Sequence, residues 1–266
     1  MRTILETIFD QKRRRVRAVK ETVDYAGLIE RARERRSSSE SHRLRNSLSD
    51  RDRINIIAEF KKASPSKGVI NGSADPETTA AIYERSGAAA ISVLTEEDYF
   101  CGSLDDLRRI RSAVEIPILR KDFVFDEFQI YEAAEAGADA ILLIVSSLDA
   151  GRLRDLRSVA EDELGIDALV EVHTADEMKI ACDSGATLIG VNNRDLRTFE
   201  VSLDVSRELA KLASSDATLV AESGLRTRDD LLELRSVGYS AFLIGETLMR
   251  SGDTAAALQE LLGANT

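Results

Sequence analysis

The sequence predicts an α/β protein, a (β/α)8 TIM barrel with an N-terminal helical extension. Three observations carry this reading. A glycine-led phrase recurs four times, as "SGAAAISVLTE" from Ser86, "AGADAILLIVS" from Ala136, "SGATLIGVNNR" from Ser184 and "VGYSAFLIGET" from Val237. In each, Gly and a small residue precede an apolar run, the pattern of a left-handed helix cap feeding a buried strand. Four further apolar runs fall elsewhere in the chain, "INIIAEF" from Ile54, "IPILRKDF" from Ile116, "DALVEVHT" from Asp167 and "TLVAESG" from Thr218. Helical patterns separate the strands, several opening on Asp, Ser or Thr, with Asp105, Asp106, Asp229 and Asp230 suited to the positive end of a helix. Eight alternating units match the barrel. A doubly wound open sheet usually carries a Gly-rich nucleotide fingerprint after its first strand, and none stands there.

In chain order, residues 1–50 form the extension and 51–266 the barrel. Helical periodicity spans about Thr3–Lys20 and Thr22–Arg36. The basic island "QKRRRVRAVK" reads as a solvated helix face. Next comes "RSSSESHRLRNSLSDRDR", a polar connector with little core-forming capacity. The barrel then runs from Ile54 through helices such as "DPETTAAIYERSG", "SLDDLRRIRSAV", "DEFQIYEAAEAG" and "TADEMKIACDSG" to a final "DTAAALQELLG".

Composition excludes several classes. Of 266 residues, 43% are hydrophobic and 31% charged, as in a globular α/β protein. A formal charge of −11 disfavours nucleic acid and acidic membranes as partners. No apolar run is long enough to span a bilayer, and acids near the start argue against a transit peptide, so the expected location is cytoplasmic. Cys101 and Cys182 with His42 and His173 offer no metal-finger spacing. No metal is expected.

In such barrels the chemistry sits where strands end. Here the ends are charged: Glu59 and Lys61, Lys121 and Asp122, Glu171, then Glu222 with Ser223, and Asn192 and Arg194 after the sixth strand. Side chains alternate along a strand, so Ile57, Glu59 and Lys61 share one face. Leu119 lies with Lys121, Leu169 with Glu171, and Gly190 with Asn192 and Arg194. Glu59, Lys61, Lys121, Glu171 and Asn192 are therefore expected to converge over one barrel mouth, while Lys62 and Arg120 point elsewhere. Lysines and carboxylates together suit proton transfer, the two lysines lowering each other's proton affinity and the glutamates opposing this. Ser223-Gly224 and Gly245 follow the last two strands, where barrels commonly hold phosphate. Ser64–Gly68 reads as a loop over the site.

The motifs "IIAEFKKASPSKGVI", "SVLTEEDYFCGS", "PILRKDF", "LVEVHTADE", "GVNNRDLRTF", "VAESG" and "LIGETLM", in this order and spacing, closely resemble the indole-3-glycerol-phosphate synthase family of tryptophan synthesis. The resemblance implies that 1-(2-carboxyphenylamino)-1-deoxyribulose 5-phosphate is closed to indole-3-glycerol phosphate with loss of carbon dioxide and water. It implies Lys121 as general acid at the ketone oxygen and Glu171 as base, with Glu59 and Lys61 binding substrate and assisting proton transfer. Which lysine serves the dehydration is left open. Asn192 and Arg194 would position the intermediate, and Glu222 and Ser223 would order the site. Ser223, Gly224, Gly245 and Glu246 would cradle the phosphate with Lys61 nearby, Glu246 acting only through its backbone N–H. Leu94, Phe100, Leu119 and Phe123 would face the aromatic ring, and Ser64 would touch substrate from its loop. The helical extension would help form the site.

The implied chemistry needs no cofactor. The expected partner is a small phosphorylated substrate; oligomeric state, a monomer among the options, and association with other enzymes of tryptophan synthesis are left open. The alternatives are another phosphate-binding barrel such as a phosphoribosyl isomerase, a Schiff-base aldolase, or a non-catalytic barrel that binds a phosphorylated ligand. The first has no reason for Lys61, Lys121 and Glu171 together, and the intact set of charged strand ends counts against the last.

Overall fold

A computed structural model describes residues 4–195 and 198–264. Eight parallel strands close into a barrel. They are β1 (Asn55–Phe60), β2 (Ala90–Leu94), β3 (Ile118–Lys121), β4 (Ala140–Ile144), β5 (Asp167–Val172), β6 (Leu188–Asn192), β7 (Thr218–Glu222) and β8 (Ala241–Ile244). Each pairs with its neighbour in sequence, and β8 closes on β1 with Ile57 opposite Leu243. All eight expected apolar runs supply a strand.

The four repeated glycines do what their position implies. Gly87, Gly137, Gly185 and Gly238 take φ of 94°, 96°, 79° and 113°, a backbone conformation that costs glycine little. Asp75, Ser103, Asp126, Asp149, Thr174, Thr227 and Asp253 cap their helices by accepting a backbone N–H.

The core has two shells. Inward residues, Ile57, Leu119, Leu142, Leu169, Val220 and Leu243 among them, fill the barrel, while outward ones such as Ile56, Val93, Ile141 and Val170 meet the helices. Inward and outward residues alternate along each strand, so strand parity decides what reaches the mouth.

Before β1 lie α1 (Ile4–Lys20), α2 (Tyr25–Ser37) and α3 (Arg43–Ser47); Thr3, the expected start of the first helix, is outside the described residues. Helix α2 packs on the helix Glu127–Ala136, with the Tyr25 ring 5.7 Å from Phe128. The connector departs from expectation. Its Leu44 and Leu48 are fully buried in the barrel interior with Ile57, Leu169, Leu188 and Val220. Polar neighbours tie it down: the Arg45 N–H donates to Asp167 (3.0 Å), and Arg43 and Arg36 pair with buried Asp139 (3.0 and 3.3 Å). The arginines that made the segment look solvated are its anchors.

Candidate active site

At the carboxyl ends of the strands opens a cavity of about 600 Å³. Strand parity delivers Glu59, Lys61, Lys121, Glu171 and Asn192 to it as expected, and Arg194 and Glu222 line it as well. The Lys61 ammonium meets Glu59 Oε1 at 2.5 Å. Lys121 stands between two carboxyls, its Nζ 2.8 Å from Glu171 Oε2 and 2.9 Å from Glu222 Oε2. Asn192 Nδ2 donates to the other oxygen of Glu171 at 3.1 Å, and Asn192 Oδ1 accepts the Arg194 N–H at 3.0 Å. Arg194 in turn donates to the Phe199 carbonyl at 3.2 Å.

Two glycines make room for the carboxyls. A Cβ on Gly190 would stand 2.1 Å from Glu222 Oε1, and one on Gly245 2.2 Å from Glu59 Oε1. Both carboxyls therefore sit where a side chain in place of either glycine would displace them.

Electrostatics set the protonation states. Burial works against the Lys121 ammonium, but Glu171, Glu222 and Glu59 outweigh it and raise its proton affinity above that of an ordinary lysine. The expected mutual lowering by the two lysines thus does not govern Lys121; the carboxylates prevail because two of them touch it. Burial also pushes Glu171 up, yet Lys121 and the hydrogen bonds from Lys121 and Asn192 hold it below the usual carboxylate range.

After β7, Ser223 and Gly224 adopt φ of 65° and 82°. The Ser223 carbonyl accepts from Asn193 Nδ2 at 3.2 Å, and Asn193 Oδ1 takes the backbone and hydroxyl of Ser206 at 3.1 and 2.8 Å. This buried clasp holds the left-handed turn. Ser223, Gly224, Gly245 and Glu246 all reach the cavity, with Thr247, Arg226 and Arg250 beside them. The Glu246 carboxylate turns to Arg250 at 3.2 Å.

On the apolar side, Leu94, Phe100 and Phe123 form wall, the last two rings 6.2 Å apart. Leu119 does not. It lies two residues below Lys121 on the same face, fully buried in the layer beneath the cavity floor. Ser64 lines the cavity from a small hairpin whose arms, Ala63–Ser64 and Gly68–Val69, pair antiparallel. Lys62 pairs with Asp106 at 2.7 Å and Arg120 with Glu132 at 2.8 Å, both off the mouth as their parity implies.

The helical extension does reach the site, as the resemblance implies, but through residues that the sequence did not single out. Ile4, Leu5 and Ile8 of α1 close the cavity's apolar side, with Phe9 packed edge-on to Phe123 at 5.3 Å. The helical period alone gave no partner for this stripe. The basic island is also not simply solvated: Lys12 is 4% exposed and pairs with Asp122 (2.9 Å) and Glu97 (2.7 Å), while Lys20 pairs with Asp126 (2.9 Å). Burial would raise Asp122, but Lys12 and Arg120 outweigh it and bring it down to about 2. Helix α1 is thus pinned beside Lys121 by a charge that composition assigned to solvent.

The family model described as Indole-3-glycerol phosphate synthase matches residues 5–261. A protein of that name from Carboxydothermus hydrogenoformans is 47% identical over 262 residues, covering 97% of this chain and 99% of its own. One from Koribacter versatilis is 46% identical over 99% of this chain and 100% of its own, and one from Dehalococcoides mccartyi 51% over 79% and 82%. Among solved structures, a 3-hexulose-6-phosphate synthase superposes with a TM-score of 0.65 at 14% identity, covering 80% of this chain and 100% of that one. Thiamine phosphate pyrophosphorylase from Pyrococcus furiosus reaches 0.60 at 17%, covering 82% and 95%. At such identities these two speak for the barrel alone. With near-complete coverage by relatives at close to half identity, the chain belongs to the indole-3-glycerol phosphate synthase family.

Proposed function

We propose that this protein is a carbon–carbon lyase of tryptophan biosynthesis that converts 1-(2-carboxyphenylamino)-1-deoxyribulose 5-phosphate to indole-3-glycerol phosphate. The observation that carries the reading is the Lys121 ammonium, buried on the cavity floor between Glu171 and Glu222 and within the same cavity as Phe100 and Phe123. Its raised proton affinity keeps it charged, ready to protonate the substrate ketone as the carboxylate-bearing ring carbon attacks. Ring closure leaves an iminium next to the carboxylate, which draws the electrons of the breaking C–CO₂ bond. Decarboxylation restores the aromatic ring without a cofactor. Glu171 then removes the carbon-bound proton as the new hydroxyl departs as water, with Lys61 or Lys121 supplying the proton that hydroxyl needs.

Asn192 keeps Glu171 aimed, and Arg194 faces the intermediate from the β6 end. The phosphate is assigned to Ser223, Gly224, Gly245 and the backbone of Glu246, with Lys61 on the near side. Pairing of the Glu246 carboxylate with Arg250 relieves its repulsion of that anion. Purified protein given this substrate without added metal should develop indole fluorescence. Lys121→Met should lower kcat by at least about 10³-fold, within the range expected for loss of a general acid. A folded Lys121→Met protein with wild-type turnover would overturn the mechanism, and no product from wild type would overturn the function.

A further inference from the structure

We propose that Glu171 and Glu222 hold one proton between them in the resting enzyme, carried on Glu222, so that the cavity floor is neutral when the anionic substrate arrives. The inference deepens the proposed function and rests on it for its catalytic consequence, though not for the proton itself.

Three carboxyls, Glu59, Glu171 and Glu222, share two ammonium groups on this floor. Glu59 has Lys61. The other two depend on Lys121, and they also meet each other within hydrogen-bonding reach. Two carboxylates in contact inside a protein do not both ionise cheaply.

The donors decide which one keeps the proton. Glu171 receives Lys121 on one oxygen and Asn192 on the other. Glu222 receives Lys121 on Oε2 alone, and its Oε1 is buried with no hydrogen-bond donor among the described residues. A buried carboxylate oxygen without a donor is costly, whereas a carboxylic acid can place its O–H toward the neighbouring carboxylate. The strands beside Glu222 add no further charge at its own level: β6 presents Gly190 and Asn192, β8 presents Leu243, and β1 contributes Glu59 with its partner Lys61. Arg194, Arg226 and Arg250 also line the cavity, as does Asp122, which is paired with Lys12. Burial pushes the Glu222 carboxyl up; Lys121 pulls against it, and Glu171 and Glu59 add to the rise.

With Glu222 neutral, the charges of Glu59, Glu171, Lys61 and Lys121 cancel. When Glu222 ionises the floor gains a negative charge, which opposes a substrate bearing a carboxylate and a phosphate. Glu222 is thus a positioning residue whose protonated form holds Glu171 against Lys121 and admits the substrate.

The test has a substrate-free arm and a catalytic arm. In ligand-free enzyme labelled with ¹³C at glutamate carboxyls, the signal missing from Glu222→Gln identifies Glu222. It is expected to titrate well above the ordinary range, between about pH 6 and 8. In turnover, the wild-type kcat/KM is expected to fall across the same interval, and Glu222→Gln to lose that fall. Glu222→Gln should also exceed Glu222→Ala by at least about 10-fold in kcat/KM, because the amide mimics the neutral acid. A Glu222 signal ionised by about pH 5 overturns the inference whether or not the enzyme makes indole. So does a Glu222→Gln profile that keeps the wild-type decline. Absence of product from wild type would instead strike the functional reading, leaving the carboxyl titration to be judged by itself.

Discussion

Glycine is the least conspicuous residue at the cavity floor and one of the most constrained. Gly190 has an ordinary strand backbone, yet its missing side chain is the seat of the Glu222 carboxyl. Gly190→Ala is expected to force the carboxyl off Lys121, costing about 1–3 kcal/mol of stability by overpacking and lowering kcat more than it raises KM. Urea unfolding and steady-state kinetics check both; an alanine variant with wild-type kcat would show that the close approach is irrelevant. Charged residues at this scale were legible because strand alternation is strict: choosing Ile57 as inward sends Glu59 and Lys61 to the mouth. Leu119 lacks the place in the cavity wall that the resemblance implies for it, since parity gives the face but not the depth. Its inward orientation is right, and one layer separates it from the cavity.

At the level of elements, the strands and their capped helices could be read directly because each carries its own local signal, an apolar run or a capping residue. Elements whose meaning depends on a distant partner could not. Lys12 looks solvated until Asp122, more than a hundred residues away, is known to lie against it. Leu44 and Leu48 are four residues apart in a Ser/Arg-rich stretch, and only the open end of a barrel explains their burial. Lys12→Met would leave Asp122 with Arg120 as its remaining cation. Stability is expected to fall by on the order of 3 kcal/mol, as for a broken buried ion pair. A rise in KM should accompany it, because α1 carries Ile4, Leu5 and Ile8 into the cavity wall. An unchanged midpoint in urea together with an unchanged KM would show that α1 is docked by its apolar stripe alone.

Across the whole molecule, charge and fold are coupled through pH. Asp122 has a folded-state value of about 2 against an ordinary 3.8, so its ionised form favours the folded state. That contribution is fully present above pH 3.8 and is lost as pH falls toward 2. Wild-type stability is therefore expected to drop through this interval, and Asp122→Asn to show a shallower drop from a lower starting point. Equal acid slopes in the two proteins would remove Asp122 from the account. The closed barrel is what places this ion cluster beside Lys121, making structural and catalytic charges neighbours.

The most direct measurement of the central claim follows the carboxyl carbon. Substrate labelled with ¹³C in its carboxylate, incubated with wild type and with Lys121→Met, should release one labelled carbon dioxide for each indole fluorophore formed by the wild type. The variant should release essentially none. Labelled carbon dioxide without matching indole, or equal release from the variant, would contradict ring closure driven by the Lys121 proton.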